Sequence, residues 1–142
     1  MLSAAPGYLS LKDKKMESKT GNTIESRFIS SWEAVAKIVH KMAVDHGFWS
    51  FPEGHERNKG EALALIHSEL SEALEAVRDE DGTYKPMDKH LPHRESVTVE
   101  LADAMIRIMD FAEGFGYKDL PIVIMEKIRY NSNRPKRHGK KF

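Results

Sequence analysis

The chain contains no cysteine. Disulfides and thiol nucleophiles are therefore excluded, and a reducing compartment is allowed. No apolar run approaches the roughly 20 residues needed to span a bilayer. Residues 1–15 mix Pro, Gly and Lys without the apolar stretch of a signal peptide. A cytoplasmic protein with no membrane partner is the expectation. Net charge is missing as well, with 22 Lys plus Arg against 22 Asp plus Glu, so the overall balance names no partner. No Walker loop is present, which argues against a P-loop ATPase. Nothing alternates with period two over a strand length, and the β-branched cluster Ile122-Val123-Ile124 sits in a helical frame.

What is present is an uneven distribution of charge. From Glu61 to Glu113 there are 13 acids against five Lys or Arg, whereas from Lys127 onward there are seven Lys or Arg and no acid. An acidic middle and a basic end suit a protein that holds cations in one place and an anion beside them; an ordinary solvated surface with a basic tail is the alternative.

At 142 residues one domain is expected. Residues 1–28 are polar and aperiodic and read as an N-terminal extension, residues 29–134 as the helical domain, and residues 135–142 as a basic C-terminal tail. Four helices are expected, over residues 31–46, 59–79, 95–113 and 119–131. The first carries Trp32, Val35, Ile38, Val39 and Met42 at spacings of three and four. The second has Leu63, Ile66, Leu70, Ala73, Leu74 and Val77 as its stripe, and the third Val97, Leu101, Ala104, Ile108 and Phe111. Gly47 with Pro52, and Gly114 with Gly116, punctuate the ends; Asp119 before Pro121 opens the last helix. Residues 80–93, with Gly82, Pro86 and Pro92, read as a loop. The fold class is all-α, a compact four-helix bundle.

Glu69 and Glu72 lie three apart on the second helix, and Glu100 and Asp103 three apart on the third. Each pair shares a helix face and can share a cation. On a helical wheel Glu69 and Glu72 lie about 75° and about 135° to one side of the apolar stripe, and Glu100 and Asp103 about 70° and about 130° to the same side of theirs. If the two helices pack antiparallel through these stripes, all four acids line one edge of the seam, an arrangement that repels itself without a cation. Carboxylate oxygens are hard ligands, suited to Mg²⁺, with Mn²⁺ as an alternative, rather than zinc. Four solvated acids beside a core stripe are the bland alternative. A di-iron bundle normally uses Glu-x-x-His, and none of the seven histidines has a Glu three residues before it.

On the last helix Lys127, Asn131 and Arg134 are spaced four and three, a stripe able to grip phosphate oxygens or merely to complement the helix C-terminus. His138-Gly139-Lys140-Lys141 either folds over a polyphosphate or frays. Phe48, Trp49 and Phe51 precede the acid helix; stacking on a base competes there with core packing or a dimer contact. Methionines such as Met105, Met109 and Met125 are read as core fillers.

Glu69-x-x-Glu72, 27 intervening residues and Glu100-x-x-Asp103 resemble the motif of the MazG-like all-α nucleotide pyrophosphohydrolases, which include MazG, dimeric dUTPases, dCTP pyrophosphatases and phosphoribosyl-ATP pyrophosphohydrolase. Lys127-x-x-x-Asn131 followed by Arg134-Pro135-x-Arg137-His138-Gly139 is similar to the closing segment of MazG-like members. The likeness spans residues 30–142. It implies a homodimer or homotetramer and Mg²⁺-dependent hydrolysis of a nucleoside triphosphate to monophosphate and pyrophosphate, with nucleotide-pool sanitation as the implied role. It also implies metal binding by the four acids, and contacts from Lys127 and Asn131 to the nucleotide. Arg134 is assigned to the substrate with them. Two positions depart from the pattern. Arg107 stands where some members carry Tyr, and Asp79 where some deoxycytidine-specific members carry Trp, so no base preference carries over. Glu69, nearest the apolar stripe, is the candidate general base, an argument that fits Glu100 almost as well. Two non-enzymatic alternatives remain: a helical interaction module with a solvated acidic edge, and a nucleic-acid binder using the basic tail, which the acidic edge opposes.

Overall fold

A computed structural model describes residues 23–134. The basic tail, most of the N-terminal extension and His138-Gly139-Lys140-Lys141 lie outside the described residues. Four helices make up the described chain: α1 (Ile24–Asp45), α2 (Lys59–Arg78), α3 (Ser96–Gly114) and α4 (Leu120–Ser132). The only β feature among the described residues is an isolated antiparallel bridge between Met87 and Glu95, so the fold class is all-α. Among these residues no helix is long and apolar enough to cross a membrane.

Local chemistry sets most of the boundaries. The first helix begins at Ile24, ahead of the expected residue 31 and within the stretch assigned to the extension. The Thr23 hydroxyl accepts from the Ser26 amide at 3.1 Å and so caps α1. Arg129 on α4 bonds Glu25 at 2.7 Å, which ties this early turn to the rest of the fold. Asn58 caps α2, its side-chain Oδ1 accepting from the Gly60 and Glu61 amides at 2.8 and 3.1 Å. Just past α1 and α3, Gly47 and Gly116 take φ of 82° and 83°, the left-handed conformation that favours glycine at a helix end. Asp119 precedes α4 as expected but makes no side-chain cap bond. The opening rests instead on Pro121, fully buried and in the first turn, where a missing N–H costs nothing.

Helix α3 is central. It packs along both α2 and α1, while α4 lies on α1. The α2 side of the seam differs from the sequence expectation. Its buried residues are Ala62, Ile66, Glu69, Ala73 and Ala76, while Leu63, Leu70, Leu74 and Val77 are 46–56% exposed. At about 100° per residue the small-residue face and the leucine face are about 90° apart. Alanines at 62, 73, 76 and 104 let the helices approach closely, so the small face goes inward. Periodicity finds the strongest apolar stripe but cannot say whether that stripe meets its own chain or another surface. The rotation places Glu69 near the middle of the buried face instead of at its flank.

The consequence is a protomer with a thin core. The buried apolar residues among those described are Trp32, Val39, Ile66 and six alanines, plus Pro121, while leucines, isoleucines and valines of all four helices are exposed. Exposed apolar surface of this extent is unusual for a monomer, and a small core gains stability from further burial. Sedimentation at micromolar concentration is expected to show at least a dimer. Leu74→Glu, which at a free surface would change stability by no more than about 0.5 kcal/mol, is expected to dissociate or unfold it. A fully stable monomer, indifferent to this substitution, would contradict the reading.

Candidate metal centre

Helix α3 carries Glu100, Asp103, Arg107 and Asp110 at spacings of three, four and three, which puts them along one side of the helix. Glu69 approaches that side from α2. One carboxylate oxygen each from Glu69, Glu100 and Asp103 lies within 4.8 Å of the other two. These three residues can hold a metal ion. All the donors are hard oxygens, and together they bring three negative charges to one point, a set that fits Mg²⁺ or Mn²⁺ better than a softer metal.

The structure thus joins three of the four acids singled out by sequence. Glu72 is exposed and falls outside this cluster, but it borders the same groove, and its charge acts on Glu100. The far wall of the groove comes from the loop before α3, where Asp88 is 8% exposed. The Asp88 carboxylate accepts from the His90 and Leu91 amides at 2.8 and 2.6 Å, and these bonds hold its pKa below the usual range. The bridge between Met87 and Glu95 and the Lys85–Glu95 pair at 2.9 Å pin the loop in place. The groove has a volume of about 710 Å³.

One cation answers the cluster from within. Arg107 Nε donates to Glu69 Oε1 at 2.6 Å. Glu69 is 6% exposed, and this bond compensates a charge that would otherwise be costly to bury. The other two carboxylates are less well served. Burial first, then the charges of Glu72, Glu69 and Asp103, raise the Glu100 pKa. Burial, followed by the Glu69 charge, raises that of Asp103, although Arg107 opposes the shift.

On the other side of Arg107 lies a second cavity of about 550 Å³, with an apolar lining that includes Val39, Met42, Phe48, Leu65 and Ile106. Glu69, Asp103 and Arg107 border both spaces. The cavity's end is fixed by Asp110, 7% exposed, which acts as a hub. It accepts from Trp49 Nε1 at 2.9 Å and from Arg57 at 3.2 Å, and it bonds His40 Nδ1 at 2.8 Å. Arg57 also covers the Trp49 ring at 4.7 Å. The Trp49 ring lies so close to Gly114 that any Cβ there would overlap it. Trp49 is therefore a packing residue that fastens the aromatic loop to α1 and α3, while Phe48 and Phe51 are exposed.

The α4 residues stand apart. Lys127 and Arg134 lie over the Tyr130 ring at 4.8 and 5.6 Å, and Asn131 is exposed. None of the three borders the groove or the apolar cavity. Conversely, sequence reasoning gave no role to Asp88, Arg107 or Asp110. The last two were within reach of the wheel, since they continue the Glu100 and Asp103 face. Asp88 depends on a loop conformation that has no periodic signal.

Comparison of this chain with protein families, curated proteins and solved structures gives no match.

The carboxyl pKa directions fix a dependence on pH. A carboxyl whose folded pKa is raised contributes stability that is full below its unfolded pKa and is lost as pH rises through the folded value. The metal-free protein is thus expected to lose the Glu100 and Asp103 contributions as pH climbs from about 4, the ordinary carboxylate range. Excess Mg²⁺ is expected to restore them, because it binds the folded state. Glu100→Gln should melt higher than wild type without metal and respond less to Mg²⁺. Identical melting-temperature profiles for the two proteins, with and without Mg²⁺, would show that the cluster holds no cation.

Proposed function

We propose that the protein is a Mg²⁺-dependent nucleotide pyrophosphohydrolase, cleaving a nucleoside triphosphate, or its deoxy form, to monophosphate and pyrophosphate. The observation that carries this reading is the three-acid cluster between two spaces of opposite character: a polar groove on one side, an apolar cavity on the other, and a guanidinium at their border. A nucleotide has a related division, with a charged polyphosphate joined through a sugar to a flat base whose faces are apolar. The motif spacing that resembles the MazG-like enzymes supports the same conclusion.

Glu69, Glu100 and Asp103 would hold the cation, with Glu72 beside them at the groove. When bound, Mg²⁺ supplies charge neutralisation on the phosphates and acidification of water. The apolar cavity would take the nucleoside and so exclude water from one side of the reacting phosphate. Glu69 accepts from Arg107 Nε whereas Glu100 does not, which leaves Glu100 the candidate general base on geometry alone. Lys127, Asn131 and Arg134 border neither space in their own protomer. They would serve the polyphosphate from a neighbouring copy in a homo-oligomer.

Phosphorus NMR of a reaction on a panel of ribo- and deoxynucleotides with Mg²⁺ is expected to show monophosphate and pyrophosphate. Glu100→Gln should abolish turnover. Lys127→Ala should lower kcat/KM by about tenfold to a hundredfold, the scale of one charge-assisted hydrogen bond, with little change in melting. Mixed oligomers of these two variants should recover activity if the sites are shared between copies. Orthophosphate with a nucleoside diphosphate, or no turnover with Mg²⁺ or Mn²⁺, would refute the assignment.

A further inference from the structure

Arg107 occupies a distinctive place. Its Nε is spent on Glu69 Oε1 at 2.6 Å, while its two terminal nitrogens make no hydrogen bond to any described residue. The Arg107 side chain is 39% exposed where that of Glu69 is 8% exposed, so the guanidinium is anchored at its base and open at its tip. It borders both the polar groove and the apolar cavity. A guanidinium tip is a planar fork of N–H donors, matched in geometry to two oxygens of one phosphate. A purely structural partner for Glu69 would need neither the free fork nor the position between two cavities.

We propose that Arg107 is a phosphate-binding residue, hinged on Glu69 so that its terminal nitrogens grip a polyphosphate lying across the border of the two cavities. The inference rests on the pyrophosphohydrolase reading for its ligand class but not for its logic. Glu69 then has two tasks: it contributes an oxygen to the cation site and it aims the arginine. The same geometry couples them. A cation at the cluster and a guanidinium on the phosphate approach one polyphosphate from adjacent positions, each neutralising part of its charge. Lysine at this position could supply charge but not the fork, and it could not hold Glu69 and a phosphate at once with fixed direction.

The probe is inorganic tripolyphosphate with Mg²⁺, followed by calorimetry on the full chain, alongside Mn²⁺ binding without phosphate followed by electron paramagnetic resonance. Arg107→Ala is expected to weaken tripolyphosphate binding by at least about tenfold, the loss of a charge-assisted pair, and Arg107→Lys to recover part of it. Mn²⁺ affinity is expected to hold or to rise, because a competing positive charge leaves the cluster. If Arg107→Ala folds poorly, Arg107→Gln, which keeps a donor for Glu69 but lacks the fork, should show the same loss. Tripolyphosphate affinity within about twofold of wild type in a folded Arg107→Ala or Arg107→Gln variant, or no tripolyphosphate binding by wild type, would overturn the proposal. Wild-type protein that binds tripolyphosphate through Arg107 yet hydrolyses no nucleotide would sustain it while refuting the pyrophosphohydrolase reading. Nucleotide turnover that is unchanged in KM by Arg107→Ala, with unchanged tripolyphosphate affinity, would do the reverse.

Discussion

A carboxylate near the centre of a helix–helix seam is expensive to bury, and Glu69 sits there on α2. The organisation of the site follows from how that expense is met. Arg107 supplies one hydrogen-bonded countercharge, and two further acids from α3 crowd the same point. A stable apolar seam would have used leucine at position 69. Breaking one partner of a buried ion pair is costly, yet the pair itself adds little stability over a well-packed apolar replacement. The arrangement adds little to stability, and burial raises the pKa values of Glu100 and Asp103 as well. Each reflects partial burial beside neighbouring negative charge.

The seam also explains the rest of the surface. Turning the small face of α2 inward, so that Glu69 can meet α3, turns Leu63, Leu70, Leu74 and Val77 outward. The acid site and the exposed apolar stripe are thus two results of one helix rotation. Asp110 plays the complementary part at the other end of α3. Its bonds to His40, Trp49 and Arg57 fasten the loop that bounds the apolar cavity, and Gly114 leaves room for the indole.

Helix content was legible in the sequence because apolar spacings of three and four persist across the first three segments, and Asp119 before Pro121 marks the start of the fourth. The ends were legible where glycine marks them, as at Gly47 and Gly116, but not at Thr23, where one hydroxyl begins a helix ahead of its apolar pattern. The acid pairs were legible because their spacing is a property of one helix. Which apolar face turns inward was not, since α2 carries both a leucine face and an alanine face, and hydrophobicity ranks the wrong one first for a single chain. That choice decides that Glu69 is buried and Glu72 exposed. The pairing of Arg107 with Glu69 depends on it too, so the partner of Arg107 could not be read from spacing. Lys127 and Asn131 share a face, as their spacing requires, but spacing carries no information about which surface that face meets.

Everything in the functional proposal depends on Glu69, Glu100 and Asp103 sharing one cation. Anomalous diffraction from crystals grown with Mn²⁺ tests it most directly. The expected result is a peak within coordination distance, about 2.2 Å as for small divalent cations, of an oxygen from each of the three residues. A peak elsewhere, or none at these carboxylates under saturating Mn²⁺, would contradict it.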